Sequence, residues 1–105
     1  MSTIFRKVKA VSDAQDKIMT KDNVLLLKRT LKLTEEAGEI SAEVLKLVDF
    51  KVSNQSKAEI KDNIKEETID ALIVVFDIIN HLGMSEEEVS YLMDAKLEKW
   101  KSKHL

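Results

Sequence analysis

The fold is decided by residues 67–82, which read ETIDALIVVFDIINHL. Apolar side chains in this stretch recur on nearly every side of a helix, and a helix that is apolar nearly all round is a buried one. We therefore predict a helix over about 57–82 at the centre of the fold. A chain of 105 residues has little protein with which to cover such a helix. We infer that at least two copies of the chain assemble around it.

The composition predicts that the rest of the chain is helical as well. There is no proline and there are only two glycines, and these are the residues that most often interrupt helices. The spacing of apolar residues predicts further helices over about 3–19, 23–50 and 85–103. Since 105 residues correspond to one domain, we expect a single all-α, four-helix-bundle-like domain, assembled as a homodimer or a dimer of dimers.

Individual residues mark the expected helix ends. Ser12 is a second candidate for the start of the first helix. Gly83 is expected to end the third helix as its C-terminal cap, and Ser85 with Glu88 to form a capping box for the fourth. Gly38 lies inside the second helix, where glycine costs about 1 kcal/mol relative to alanine. Close approach of another helix, a ligand or a bound water would explain a glycine at that position.

Charge and composition narrow the class of protein. The net charge of −2 gives no reason to expect a nucleic-acid partner. No stretch reaches the roughly 18 uninterrupted apolar residues of a membrane span, and the first ten residues do not resemble a signal peptide. We therefore expect a cytoplasmic protein without a membrane partner. The chain has no cysteine, which excludes a disulfide framework and a thiolate metal site.

Four carboxylates recur at helical spacing beside apolar residues, in two pairs. Glu36 and Glu39 belong to the second predicted helix, and Glu67 and Asp70 to the third. Residues three apart share a helix face, and a carboxylate on an apolar face is costly to bury unless a cation meets it. If the two helices pack side by side, the pairs face each other and offer the oxygen ligands that Mg²⁺ or Mn²⁺ prefers. Two solvated acidic faces are the alternative.

Iron and zinc fit the sequence less well than magnesium. Di-iron sites in helical bundles need Glu-x-x-His on two helices, and neither His81 nor His104 has a glutamate three residues before it. Zinc sites use Cys or several His ligands, which this chain does not supply. We therefore expect Mg²⁺, with Mn²⁺ as a substitute.

The segments that carry these acids resemble a known enzyme family. Residues 33–39 (LTEEAGE), 66–72 (EETIDAL) and 80–83 (NHLG) together resemble the MazG family of nucleotide pyrophosphohydrolases. That family is grouped with the all-α dUTPases, dCTPases and phosphoribosyl-ATP pyrophosphatases, and the resemblance extends over about 23–104. It implies an enzyme that uses Mg²⁺ to convert a (deoxy)nucleoside triphosphate to the monophosphate and pyrophosphate, clearing non-standard or surplus dNTPs.

The resemblance also implies roles for single residues. The acids that match the family's metal ligands are Glu36, Glu39, Glu67 and Asp70. Either Glu36 or Glu39 is expected to accept the proton of the attacking water. Asn80 matches a position near the substrate, and Lys96 matches a lysine of the last helix that reaches the phosphates. Further candidates for substrate binding are Asp77, Lys99 and Trp100. Trp100 stands where many relatives have Asn, which leaves the substrate open.

Two other functions remain open from the sequence. A phosphoribosyl-ATP pyrophosphatase shares these acids and differs in its pocket. A non-catalytic helical interaction module would instead use the acidic faces to bind a basic partner, or would leave them solvated.

Overall fold

The computed structural model describes residues 2–18 and 23–105, and within these ranges it is all-helical and contains no strand. The described helices, in chain order, are α1 (Ser2–Ile18), α2 (Asn23–Leu47), α3 (Lys57–His81) and α4 (Glu86–His104). The predicted all-α class is therefore confirmed. The predicted end of the first helix at residue 19 lies outside the described residues.

Local hydrogen bonds explain where α3 and α4 begin and end. The hydroxyls of Ser56 and Ser85 each accept a bond from the backbone N–H three residues ahead, as N-caps do. Gly83 follows α3 with a φ of 72°, and its N–H bonds to the carbonyl of Asn80 at 3.0 Å. Such a left-handed glycine closes the helix by satisfying its last carbonyls, so the predicted stop at Gly83 is confirmed.

The second helix is shorter than predicted, because it ends at Leu47 and not at residue 50. Asp49 takes a φ of 65°, which no helix accommodates. The ammonium of Lys57, at the start of α3, donates to the carbonyls of Lys46 at 3.2 Å and Leu47 at 2.9 Å. Lys57, the first residue of α3, thus caps the C-terminal end of α2. The apolar residues after Leu47 belong to the loop between the two helices.

The helices α2 and α3 form an antiparallel pair, and α1 packs across the C-terminal half of α3. The buried centre of the α1 contact is an edge-to-face aromatic pair, Phe5 and Phe76, whose ring centroids lie 6.3 Å apart at 88°. Val89 completes this core from the start of α4. Burial of these large side chains holds α1 and the first turns of α4 against α3.

Part of the apolar surface stays open in the single chain. Ile69, Leu72 and Ile73 on α3 are about half exposed, so the described residues do not cover α3 on every side. The radius of gyration is 16.7 Å, whereas a compact chain of this length has about 13 Å. The chain bends by 118° between α3 and α4, and α4 makes few contacts with the other helices.

No single helix within the described ranges is long and apolar enough to cross a membrane, and only α3 and α4 taken together, across their bend, meet that test of length and composition.

Candidate functional site

The α2–α3 interface contains facing polar residues in a regular antiparallel order. Arg29 binds Asp77, Glu36 lies beside Asp70, and Glu39 lies beside Glu67. Each step forward along α2 is matched by an equal step back along α3, as an antiparallel helix pair requires. The predicted side-by-side packing of the two acid pairs is what brings these residues together.

Four carboxylates meet in the middle of this interface, and we call them the acidic cluster: Glu36, Glu39, Glu67 and Asp70. Single oxygen atoms of Glu36, Glu67 and Asp70 lie within 4.8 Å of one another. Glu36 is only 5% exposed, whereas Asp70 and Glu39 are open to solvent. The cluster therefore has a buried floor on α2 and an accessible rim.

Repulsion among these acids is visible in their protonation and hydrogen bonding. The carboxyls of Glu39 and, to a smaller extent, Glu36 together with partial desolvation raise the pKa of Glu67 to about 7. The Oε2 atoms of Glu36 and Glu67 are buried and meet no hydrogen-bond donor among the described residues. Buried polar atoms are nearly always paired, so a proton or a cation would satisfy these two atoms. Oε2 of Glu43, outside the acidic cluster, is a third buried oxygen of this kind.

Among the described residues, the cation of Lys32 reaches the edge of the acidic cluster. The ammonium of Lys32 lies 3.1 Å from Oε1 of Glu36, one helical turn away. This bond, followed by the charge of Glu35, raises the pKa of Lys32 above its ordinary value. Lys32 itself is about half exposed, so its single charge lies at the rim and does not neutralise the four acids.

A buried ion pair lies two turns along the interface from the acidic cluster, and sequence reasoning missed it. Arg29 is buried, and its Nε donates to Asp77 at 2.8 Å while its Nη1 donates to Nδ1 of His81. The hydroxyl of Ser12 on α1 donates to the other oxygen of Asp77 at 2.5 Å. We call these four residues the arginine network. It ties α1, α2 and α3 together at one end of the bundle.

The sequence does carry a signal for the arginine network. Arg29, Glu36 and Glu43 recur every seven residues, and seven residues make almost two full helical turns. Asp70 and Asp77 show the same interval on α3. On α2 an arginine is in line with two glutamates, and they face two aspartates on α3. This pattern indicates that Arg29 and Asp77 form an ion pair, whereas Glu36 and Asp70 face each other without a cation.

The donor atoms of the acidic cluster suit a hard divalent cation. All of its candidate ligands are carboxylate oxygens, the type that Mg²⁺ and Mn²⁺ prefer. His81, the histidine of α3, already accepts a hydrogen bond from Arg29. The two buried oxygens without a donor are the atoms that a cation would satisfy, so the residues present fit such an ion.

The remaining predicted site residues lie away from the acidic cluster. Asn80 donates to Asp13 of α1 at 3.1 Å. Asp77 belongs to the arginine network, two turns from Asp70. The α4 candidates are exposed side chains on a helix that turns away from α3: Lys96, Lys99 and Trp100. Within one chain the structure therefore assembles the predicted acids but not the predicted substrate-binding residues.

Comparison of the chain with known protein families, with curated proteins and with solved structures finds no match. The site geometry therefore carries the functional argument.

Proposed function

We propose that this protein hydrolyses (deoxy)nucleoside triphosphates to the monophosphate and pyrophosphate, with Mg²⁺ held by the acidic cluster. The observation that carries the proposal is the convergence of Glu36, Glu67 and Asp70, whose oxygens lie within 4.8 Å of one another. The resemblance of the acid-bearing segments to the MazG family supports the proposal, because the acids that match that family's metal ligands include these three residues. House-cleaning of non-standard or surplus dNTPs is the corresponding role.

Within this proposal Glu36, Glu67 and Asp70 hold the ion, with Mn²⁺ as a substitute. A divalent ion supplies neutralisation of the triphosphate and acidification of water. Binding of a cation favours the ionised form of Glu67, so the pKa of that carboxyl, raised to about 7 in the free protein, falls when the site is filled.

Glu39 is the acid best placed to move a proton. It lies beside Glu67 yet is exposed to solvent, where a nucleophilic water arrives. In the reaction, water attacks the α-phosphorus, its proton passes to a Glu39 carboxylate oxygen, and the bond to the bridging oxygen breaks to release pyrophosphate. Glu36 is the alternative base, but Lys32 already occupies one of its oxygens.

A panel of pyrophosphate-release assays tests the proposal. Common and modified dNTPs and NTPs, together with phosphoribosyl-ATP, are each assayed with Mg²⁺, with Mn²⁺ and with EDTA. We expect release of pyrophosphate that EDTA abolishes, and at least a hundredfold loss of rate in Glu39→Gln and in Asp70→Asn. A rate confined to phosphoribosyl-ATP would assign the protein to that reaction instead.

Glu66→Gln is the matched control, because Glu66 is an exposed acid that adjoins the acidic cluster in sequence but is not among the acids that converge there. It should keep the wild-type rate. If Glu39→Gln and Asp70→Asn also kept it with Mg²⁺ present, the assignment of the site would be wrong. No hydrolysis of any substrate, with no thermal stabilisation by Mg²⁺ and a non-hydrolysable triphosphate, would favour a non-catalytic interaction module.

A further inference from the structure

The loop between α2 and α3, residues 48–56, borders an open cavity of about 320 Å³. This volume is large enough for a small ligand. Most of the side chains that line the cavity are polar, and Asp49 is the one carboxylate among its described lining residues. We call it the lysine cavity, after the three cations in its lining: Lys46, Lys51 and Lys57.

The lysine cavity lies at the closed end of the α2–α3 hairpin, apart from the acidic cluster. Lys46 follows Glu39 by seven residues on α2, and Ile60, which also lines the cavity, precedes Glu67 by seven residues on α3. Seven residues of helix span about 10 Å. A small anion in the cavity is therefore held apart from the acids that would bind a metal ion.

Lys57 holds the loop around the cavity in place. A lysine has three N–H donors, and those of Lys57 bind two carbonyls at the end of α2 and the carboxylate of Asp49. The backbone N–H of Lys51 donates to the carbonyl of Leu45 at 3.2 Å. Because these bonds order the loop before any ligand arrives, little conformational entropy is lost on binding.

The other two lysines keep donors for a ligand. Lys46 donates to Glu43 at 3.0 Å, and Lys51 forms no ion pair with any described residue. The bond from Lys46 and, to a smaller extent, the charge of Lys51 lower the pKa of the Glu43 carboxyl. Both cations therefore act at the same place. Since Glu43 offsets one of them and Asp49 offsets Lys57, the positive charge of Lys51 is left over.

Neutral donors complete the lining of the cavity. The hydroxyl of Ser53 accepts a bond from the backbone N–H of Gln55 at 3.1 Å, so its own proton is free to be donated to a ligand. The side-chain amide of Gln55 belongs to the same lining. Ammonium, hydroxyl and amide groups around one cavity suit an anion with several oxygen atoms.

We propose that the lysine cavity binds a phosphate-type oxyanion, held by the ammonium groups of Lys46 and Lys51 and by the hydroxyl of Ser53. A phosphate group carries nearly two negative charges and offers three acceptor oxygens or more, whereas a carboxylate carries one charge on two oxygens. Inorganic phosphate, pyrophosphate and the terminal phosphate of a nucleotide share this chemistry. The site is independent of the proposed function, because none of its residues belongs to the acidic cluster.

Other ligands suit the lysine cavity less well. A divalent cation would need carboxylate oxygens, and the carboxylate of Asp49 already binds Lys57. A nucleic acid would need an extended basic face, and three lysines at one loop of a chain with a net charge of −2 do not form one.

Titration with sodium pyrophosphate in EDTA tests the proposal, with amide chemical shifts as the readout. Without a metal ion the acidic cluster repels anions, so binding under these conditions reports on the lysine cavity. At constant ionic strength we expect saturable shifts confined to about residues 46–57, with a dissociation constant of about 1 mM or lower. Lys51→Met should weaken binding at least tenfold.

Lys61→Met is the matched control. Lys61 is an exposed lysine one turn beyond Lys57 on α3, and it does not line the cavity. The substitution removes the same charge close to the site and should leave the affinity for pyrophosphate unchanged. Urea denaturation of both variants checks that they remain folded.

Further titrations distinguish the sources of the phosphate group. Inorganic phosphate and a non-hydrolysable deoxynucleoside triphosphate should both perturb the cavity in EDTA. A nucleotide that binds no more tightly than pyrophosphate would show that the phosphate group alone is recognised. Tighter binding, with shifts in additional residues, would show that the ligand is a nucleotide. Acetate should cause no saturable shift.

Three results would overturn the proposal. The first is the absence of saturable shifts with every phosphate compound. The second is equal weakening in Lys51→Met and Lys61→Met, which would show a diffuse effect of charge. The third is binding of acetate as tight as that of phosphate. A protein that hydrolyses no nucleotide could still bind phosphate in this titration, so the failure of one proposal is distinguishable from the failure of the other.

Discussion

Two neighbouring regions of the α2–α3 interface solve the same problem in different ways. In the arginine network the buried guanidinium of Arg29 meets Asp77 at 2.8 Å. In the acidic cluster, two turns away, Glu36 meets Asp70 and Glu67, and two buried carboxylate oxygens have no donor among the described residues. At the facing positions Arg29–Asp77 and Glu36–Asp70 the two regions differ only on α2, where an arginine is replaced by a glutamate. The acidic cluster also contains a second facing pair of acids, Glu39 and Glu67.

The arginine network is structural, whereas the acidic cluster is a candidate binding site. An ion pair with its hydrogen bonds satisfied is complete without a ligand. Four carboxylates with one half-exposed lysine at their edge are not complete, because each ionised acid raises the cost of ionising the next. In the free protein this repulsion favours the protonated form of Glu67, and the pKa of that carboxyl is therefore raised to about 7.

The largest effect is expected when the balanced region is broken. Arg29→Met leaves Asp77 without its guanidinium and His81 without its donor. Removal of one member of a buried ion pair costs about 3–5 kcal/mol, and since Asp77 is partly solvated we expect a loss of about 3 kcal/mol in the free energy of unfolding. Urea denaturation monitored by circular dichroism measures it.

Two further variants separate the buried charge from a general loss of a cation. Lys32→Met removes a half-exposed cation from the same helix and should cost no more than about 1 kcal/mol. Arg29→Met combined with Asp77→Leu removes both charges and should recover most of the loss. If Arg29→Met were no more harmful than Lys32→Met, the arginine network would not hold the three helices together.

The acidic cluster should respond to pH in the opposite sense to a satisfied ion pair. The ordinary pKa of a glutamate is 4.5, and that of Glu67 is raised to about 7. The folded protein therefore holds this proton more tightly than the unfolded chain does. The stabilisation is complete below pH 4.5 and is lost as the pH rises through about 7. In EDTA the Tm should fall by a few degrees between pH 5 and pH 8.

Glu67→Gln and Mg²⁺ provide the two controls for this dependence. Glutamine resembles the protonated acid, so Glu67→Gln should flatten the fall in Tm and raise the Tm at pH 8. Mg²⁺ should raise the Tm of the wild type more at pH 8 than at pH 5 and should have little effect on Glu67→Gln. A Tm that rises with pH in EDTA, or a variant as responsive to Mg²⁺ as the wild type, would contradict the raised pKa.

The sequence predicts the helices well because their ends are decided locally. Ser85 and Gly83 act within one turn of the helices that they begin and end, so no knowledge of the fold is needed. The predicted end of α2 was wrong because the residue that caps this helix, Lys57, comes from the next helix. A cap that depends on how the chain folds back cannot be read from neighbouring residues.

The candidate site shows the same division. The acidic cluster follows from two i, i+3 pairs, which are visible in the sequence, and from the packing of α2 beside α3, which the sequence left as a condition. The arginine network needs the register of α2 against α3, which periodicity alone does not supply. The placement of Lys96 and Trp100 depends on the turn after α3, which a pattern of matching residues does not specify.

The smallest effect concerns Gly38, which lies one residue from Glu39 but on the other side of α2. A Cβ added there meets nothing within 4 Å, so the close approach of another helix, one of the explanations that the sequence left open, does not occur within the described chain. Gly38→Ala should therefore raise the free energy of unfolding by about 1 kcal/mol or slightly less, without changing the rate of pyrophosphate release. Gly83→Ala should instead destabilise, because glycine adopts a φ of 72° readily whereas alanine is strained there. A loss of stability or rate in Gly38→Ala would mean that a partner or a substrate packs on this outward face, since the chain itself leaves the space open.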